Sequence, residues 1–186
     1  MARRFLYVSL GILAPSVALS PATAEVEAGN LALGASASAS VACRPESLAF
    51  NGVYGPDDEG WVVCGGPPQW IVGDWMLPAV VDSIRLQVNV TPNGPHIFRH
   101  EVRFRDSQGA WQSPVVVIER YFTKFEFLSF AFSNPITDAT AIRVETYDAS
   151  PQFQGWFGWF EIEAFGSAAP TATSATSWGQ VKAIFR

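Results

Sequence analysis

After the first two dozen residues, apolar and polar positions alternate with a period of two rather than 3.6. In "DSIRLQVNV", Ile84, Leu86, Val88 and Val90 share one face, and Arg85, Gln87 and Asn89 take the other. In "FRHEVRFR", Phe98, His100, Val102 and Phe104 alternate with Arg99, Glu101, Arg103 and Arg105. The runs "PVVVIERYF", "KFEFLSFAF" and "TAIRVETYD" behave similarly, and the turn-forming clusters "TPNGP", "RDSQG", "SNP" and "DASPQ" separate them. This pattern predicts an all-β fold, an antiparallel β-sandwich or jelly roll of about eight strands, with no helix in its body. The arginine stripe Arg99, Arg103, Arg105, with Glu101 among them, predicts a solvated sheet face. In the last run, Phe160, Ile162 and Ala164 alternate with Trp159, Glu161, Glu163 and Phe165. Phe160 and Ile162 are therefore expected in the core, with Trp159 in the core or under a loop. Trp156 and Phe157 are expected in the Gly-flanked loop ahead of the strand.

The two ends of the chain break the alternation. Arg3 and Arg4 precede the apolar stretch "FLYVSLGILAPSVA", which is too short and too Pro-interrupted for a bilayer span. With the small-residue pattern Ala22-Thr23-Ala24 it reads as a secretory signal peptide over residues 1–24, so the protein is expected to be secreted, periplasmic or at the cell surface; the alternative is an uncleaved membrane anchor. No second apolar run is long enough to span a membrane. The folded body is expected over 25–166. A Ser/Thr/Ala/Pro linker follows over 167–176, and then an amphipathic tail over 177–186, "SWGQVKAIFR". Ser177 and Gln180 fit a capping box, and Trp178, Val181, Ile184 and Phe185 would share one helical face. Ten residues alone make only a marginal helix. The tail resembles short C-terminal segments of some bacterial secreted proteins.

Charge narrows the partners. The whole chain carries 12 Lys+Arg against 17 Asp+Glu, a formal net charge of −5. Removing residues 1–24 takes away two arginines and no acid, which leaves −7. So acidic a chain is a poor binder of nucleic acid or of an anionic membrane. There are 2 cysteines, Cys43 and Cys64. In a secreted chain an even count points to a disulfide, worth roughly 3 kcal/mol in the chain-entropy model; the alternative is two buried thiols.

Five stretches then carry a family likeness, in order from Asn30 to Gly166: "NLALGASASAS", "PQWIVGDWMLPAVVDSIRLQ", "FRHEVRFRDSQGAW", "ATAIRVET" and "FEIEAFG". Together they resemble the F5/8 type C (discoidin) domain, a galactose-binding-like jelly roll, and are similar to family 32 carbohydrate-binding modules. The resemblance implies non-catalytic binding of carbohydrate, lipid headgroup or protein through loops at one end. The chain departs from the family pattern at Asp74-Trp75-Met76, where Asp-Leu-Gly is common. It departs again in the long loop "VYGPDDE" and at Asn51, where an Asp is usual.

The resemblance also implies a structural calcium site between the first long loop and the last strand. By position it would take Asn51, the carbonyls of Leu48 and Val53, Glu59, Glu161 and the carbonyl of Phe160. These are the hard oxygen ligands that suit Ca²⁺. The loop-end candidates for a sugar are Trp156 and Phe157 as a stacking platform, with Asn93, His96 and Arg99 to bond hydroxyls. Their bland alternatives are an aromatic lid and a polar hairpin. His96 and His100 form H-x-x-x-H, but on a strand they stand about 13 Å apart and cannot share a zinc ion. Asn89-Val90-Thr91 is a short glycosylation sequon set in a strand. Asp57, Asp58 and Glu59 are the residues an enzyme reading would use as acid and base. With no nucleophile motif and no histidine cluster, that reading is set aside. The expectation is a binding module for carbohydrate or cell-surface glycans, without catalysis. The alternative is a structural or adhesion protein with a protein partner.

Overall fold

Among the described residues eight strands follow one another: β1 (Gly29–Asn30), β2 (Ser36–Ala39), β3 (Trp61–Val62), β4 (Gln69–Val90), β5 (Ile97–Asp106), β6 (Val116–Tyr121), β7 (Phe127–Asp148) and β8 (Phe157–Ala168). The computed structural model describes residues 29–56, 60–63, 65–90, 97–148 and 157–169. The proposed signal peptide, the tail, Cys64, and the acidic triplet Asp57, Asp58 and Glu59 lie outside the described residues, and so do residues 170–176 of the proposed linker. All pairings are antiparallel. One 3-10 turn, Glu46–Phe50, is the only helical element among the described residues.

Two strands are unusually long, at 22 residues each. The first half of β4 pairs with β2 and with the second half of β7, which in turn pairs with β5, and β5 with β6. The second half of β4 pairs with β8 and with the first half of β7, and β1 and β3 add to β8. We name these the β5 sheet and the β8 sheet. β4 and β7 cross from one to the other through register shifts between Asp74 and Ser83. Met76 and Asp138, both at positive φ, lie in these crossings. The "SNP" cluster, read from sequence as a turn between separate strands, falls inside the shift between Ala131 and Ile136. Its turn chemistry makes a bulge instead of a hairpin.

The two sheets close over a core that joins Ile71, Ile84, Leu86, Val102, Phe104, Ile142, Trp159 and Ile162. His100 sits among them, its ring edge-on to Phe122 at 4.5 Å and to Trp159 at 4.7 Å, and its Nδ1 meets Thr146 Oγ1 at 2.8 Å. Burial, helped by the charge of Arg120, drives the His100 pKa down to about 3, so the imidazole is neutral in the fold. The period-two reading holds at Phe98, His100, Val102 and Phe104, all buried.

It fails in one place on β8. The pairing with β4 passes from Gln87–Glu161 directly to Val88–Trp159 and skips Phe160. This bulge turns Trp159 into the main core and puts Phe160 on the other face. There Phe160 is buried against Phe125, with ring centroids 4.9 Å apart. Phe160 is thus buried as expected, but on the face opposite Ile162, because one extra residue reverses the alternation. β8 also runs on through Ser167 and Ala168, which pair with Val80 and Ala79, two residues past the boundary placed at Gly166. Asn89, of the sequon, is buried in β4.

Candidate functional site

The outer face of the β8 sheet is covered by the first long loop. Polar residues that the alternation places outward meet that loop instead of water. Gly52 N–H donates to Glu161 Oε2 at 3.0 Å, and Gly55 N–H donates to Gln87 Oε1 at 2.9 Å. Tyr54 O–H donates to Glu163 Oε1 at 2.8 Å, and Arg85 bonds both Glu163 and Tyr54. A buried loop backbone needs such partners. Burial, and then the Glu163 carboxylate, raise the Tyr54 pKa, so the phenol keeps its proton.

These contacts bring together most of the residues assigned to calcium. Leu48 lies in the 3-10 turn, and Asn51 follows it and accepts the Val53 N–H on Oδ1 at 2.8 Å. Glu161 is fully buried under the same loop, at 0% exposure. Phe160 is the residue the β4 ladder skips. A buried carboxylate, an amide oxygen and a strand residue outside its ladder are donors of the type a hard cation takes. Glu59 lies outside the described residues.

Of the sugar-binding candidates, Asn93, His96 and Trp156 lie outside the described residues. Their segments are nonetheless anchored together. Residues 91–96 leave β4 at Val90 and enter β5 at Ile97, and residues 149–156 leave β7 at Asp148 and enter β8 at Phe157. Val90 pairs with Phe157, and Phe98 pairs with Asp148. Both segments therefore start and finish at one end of the sandwich. Phe157 itself is corrected: it belongs to β8, is 1% exposed, and packs on Phe98 with centroids 5.5 Å apart. The ladder claims it, so it is core and not part of a surface platform.

Arg99 lies on the outer face of the β5 sheet, where it joins a lattice rather than standing alone. Arg99 Nη2 and Arg103 Nη2 each donate to Glu101 at 2.7 Å. Arg103 Nε lies 3.3 Å from Glu145, which also pairs with Arg143. Burial alone would raise the Glu101 pKa, but its bonds to Arg99 and Arg103 outweigh that and lower it. Arg143 lies over the Trp70 ring at 4.9 Å. Near the end where residues 149–156 emerge, this face opens into a cleft of about 310 Å³ lined by Ser40, Pro68, Gln69, Trp70, Arg143, Glu145 and Tyr147. The arginine stripe predicts only a solvated face, and the cleft at its edge is a finding of the structure. The available signal was Trp70, an aromatic placed outward next to Ile71.

No family model matches the chain, and no curated protein matches it in sequence. Solved structures do. The family 32 carbohydrate-binding module of C. perfringens NanJ, solved with galactose, superposes with a TM-score of 0.58 at 19% identity, over 75% of this chain and 98% of that one. A fucolectin from striped bass (Morone saxatilis) serum gives 0.60 at 18% identity, over 78% of this chain and 51% of that one. The lectin domain of lectinolysin, complexed with Lewis B antigen, gives 0.54 at 19% identity, over 77% and 100%. The chain shares their fold, the galactose-binding-like jelly roll.

Proposed function

We propose that this protein is a secreted, non-catalytic carbohydrate-binding module that takes a glycan at the end of the sandwich where residues 91–96 and 149–156 are anchored. The observation that carries the reading is the pairing of Val90 with Phe157 and of Phe98 with Asp148. It ties the segments bearing Asn93, His96 and Trp156 to one end of a fold shared with sugar-binding modules. An indole offers a surface for the C–H face of a sugar ring, and the amide and imidazole bond its hydroxyls.

The calcium assignment stands within the same proposal. Leu48, Asn51, Val53, Phe160 and Glu161, with Glu59, would hold Ca²⁺ and pin the first loop to β8. The ion would supply structural charge balance, not chemistry. A Cys43–Cys64 disulfide would close the same region. In its support, Cys43 N–H donates to the Val62 carbonyl at 2.9 Å, two residues short of Cys64, and no described cysteine is free.

The test is a glycan array probed with residues 25–186, with calcium and then with chelator. Binding to a sugar class, weakened by at least about 10-fold in Trp156→Ala with folding intact, is the expected result. No binding in either buffer would move the assignment to a protein partner, with residues 177–186 as the place to look. Calcium at about 100 times its Kd is expected to add roughly 2.7 kcal/mol of stability. A Glu161→Gln chain would show no such gain.

A further inference from the structure

The cleft on the β5 sheet has a wall composition that ion pairing does not explain. Trp70 and Pro68 supply apolar surface. Ser40, Gln69, Glu145 and Tyr147 supply hydroxyl, amide, carboxylate and phenol groups around it. These groups are held in place. Trp70 N–H donates to Ser40 Oγ at 3.0 Å, and Ser40 Oγ also bonds Gln69 Oε1. Gln69 Nε2 donates to the Gly66 carbonyl at 2.8 Å, and Tyr147 O–H donates to Glu145 Oε2 at 2.8 Å. Arg143 fixes the indole from one side.

The charges of this face are spent on one another. Arg143 pairs with Glu145, Glu145 with Arg103, Arg103 with Glu101, and Glu101 with Arg99. An anion or a cation entering the cleft would have to break a pair, whereas a neutral ligand would not. Burial, and then the Glu145 carboxylate, raise the Tyr147 pKa, so the phenol stays protonated at neutral pH. Its proton is committed to Glu145, which leaves its oxygen lone pairs as acceptors. The volume equals about ten liquid waters. That is room for one or two sugar rings and not for a folded partner. A flat apolar wall with directional polar groups at its rim matches a pyranose, which has a C–H face and a ring of hydroxyls.

Resting on the carbohydrate-binding reading above, we propose that this cleft is a second carbohydrate site, on the open face of the β5 sheet beside the loop end, that takes uncharged sugar units of a glycan chain against Trp70. Ser40, Gln69 and Tyr147 position the hydroxyls, and the Arg143–Glu145 pair excludes charged sugars.

The test is calorimetric titration of residues 25–186 with neutral hexasaccharides: β-1,4-glucan, β-1,4-galactan and chitin hexamers. Binding of at least one is expected. Tyr147→Phe, which keeps the ring and removes one hydrogen-bonding group, should weaken it by about 2- to 10-fold, and Trp70→Ala by more than about 10-fold. Gln69→Ala guards against a Trp70→Ala chain that fails to fold, and should weaken binding about as much as Tyr147→Phe. In a Trp156→Ala chain, residual binding should persist, and adding Tyr147→Phe should weaken that residue further. Binding lost entirely in Trp156→Ala and indifferent to Tyr147, Gln69 and Trp70 would overturn the second site while leaving the loop end standing. No binding of any hexamer would also overturn it. A sulfated or carboxylated hexamer that bound more tightly through Trp70 would sink the neutral-ligand assignment.

Discussion

The two outer faces of the sandwich use the same alphabet of polar residues for opposite ends. On the β8 sheet, Gln87, Glu161 and Glu163 are buried, and each bonds the loop that lies over it. On the β5 sheet, Arg99, Glu101, Arg103, Glu145 and Arg143 bond one another and leave the face open, with a cleft at one end. A polar residue on the outward side of a strand is therefore no guarantee of water. Beneath a loop it is the partner that a buried backbone requires, and removing it strands that backbone. On an open face it is one of several charges that water can replace.

Breaking the β8 sheet itself should have the largest effect. A Cβ at Gly158 would stand 1.8 Å from the Trp61 carbonyl oxygen, backbone against backbone. Gly158→Ala is expected to cost more than about 4 kcal/mol, read as loss of the urea transition or a midpoint collapse. Next comes Glu163→Ala on the covered face. It leaves Arg85 and Tyr54 without their carboxylate and should cost about 2–3 kcal/mol in denaturant unfolding. Its counterpart on the open face, Arg99→Ala, should cost less than about 1 kcal/mol. Equal losses from these two variants would erase the contrast between the faces.

Acid probes the core between the two faces. His100 is neutral in the fold, with its pKa lowered to about 3, while an unfolded histidine titrates near 6.5. The unfolded chain therefore binds the extra proton first, and stability falls as pH drops through the window from about 6.5 toward 3. Between pH 7 and pH 5 the loss should be about 2 kcal/mol. A His100→Gln chain would show a flatter acid limb over that window; an unchanged slope would assign the effect to other groups.

Much of this was legible in the sequence, for reasons that differ by residue. Phe98 to Phe104 could be read because a strand with a clean alternation has only one way to bury its apolar side. The loop-to-Glu161 contact followed from the family resemblance rather than from any local pattern. The face that Phe160 takes was not legible, because a bulge is a one-residue event and no composition signal marks which residue is skipped. Phe157 was misplaced because it borders a Gly-flanked segment, where the start of pairing with β4 is set by the partner strand. The cleft at Trp70 was invisible because it draws on residues from β4 and β7 and on Ser40 just past β2. These positions are far apart in the chain, and they meet only once the register is set.

β4 and β7 each belong to both sheets. The sandwich is consequently stitched rather than stacked: no cut between its layers leaves either one with its full complement of strands. A partly unfolded form keeping only one sheet would trail half of each long strand with its ladder groups unpaired. The domain should come apart in a single step, and mild protease should find either the whole or fragments, with no durable half. Tension applied at the rim is therefore shared by both layers at once.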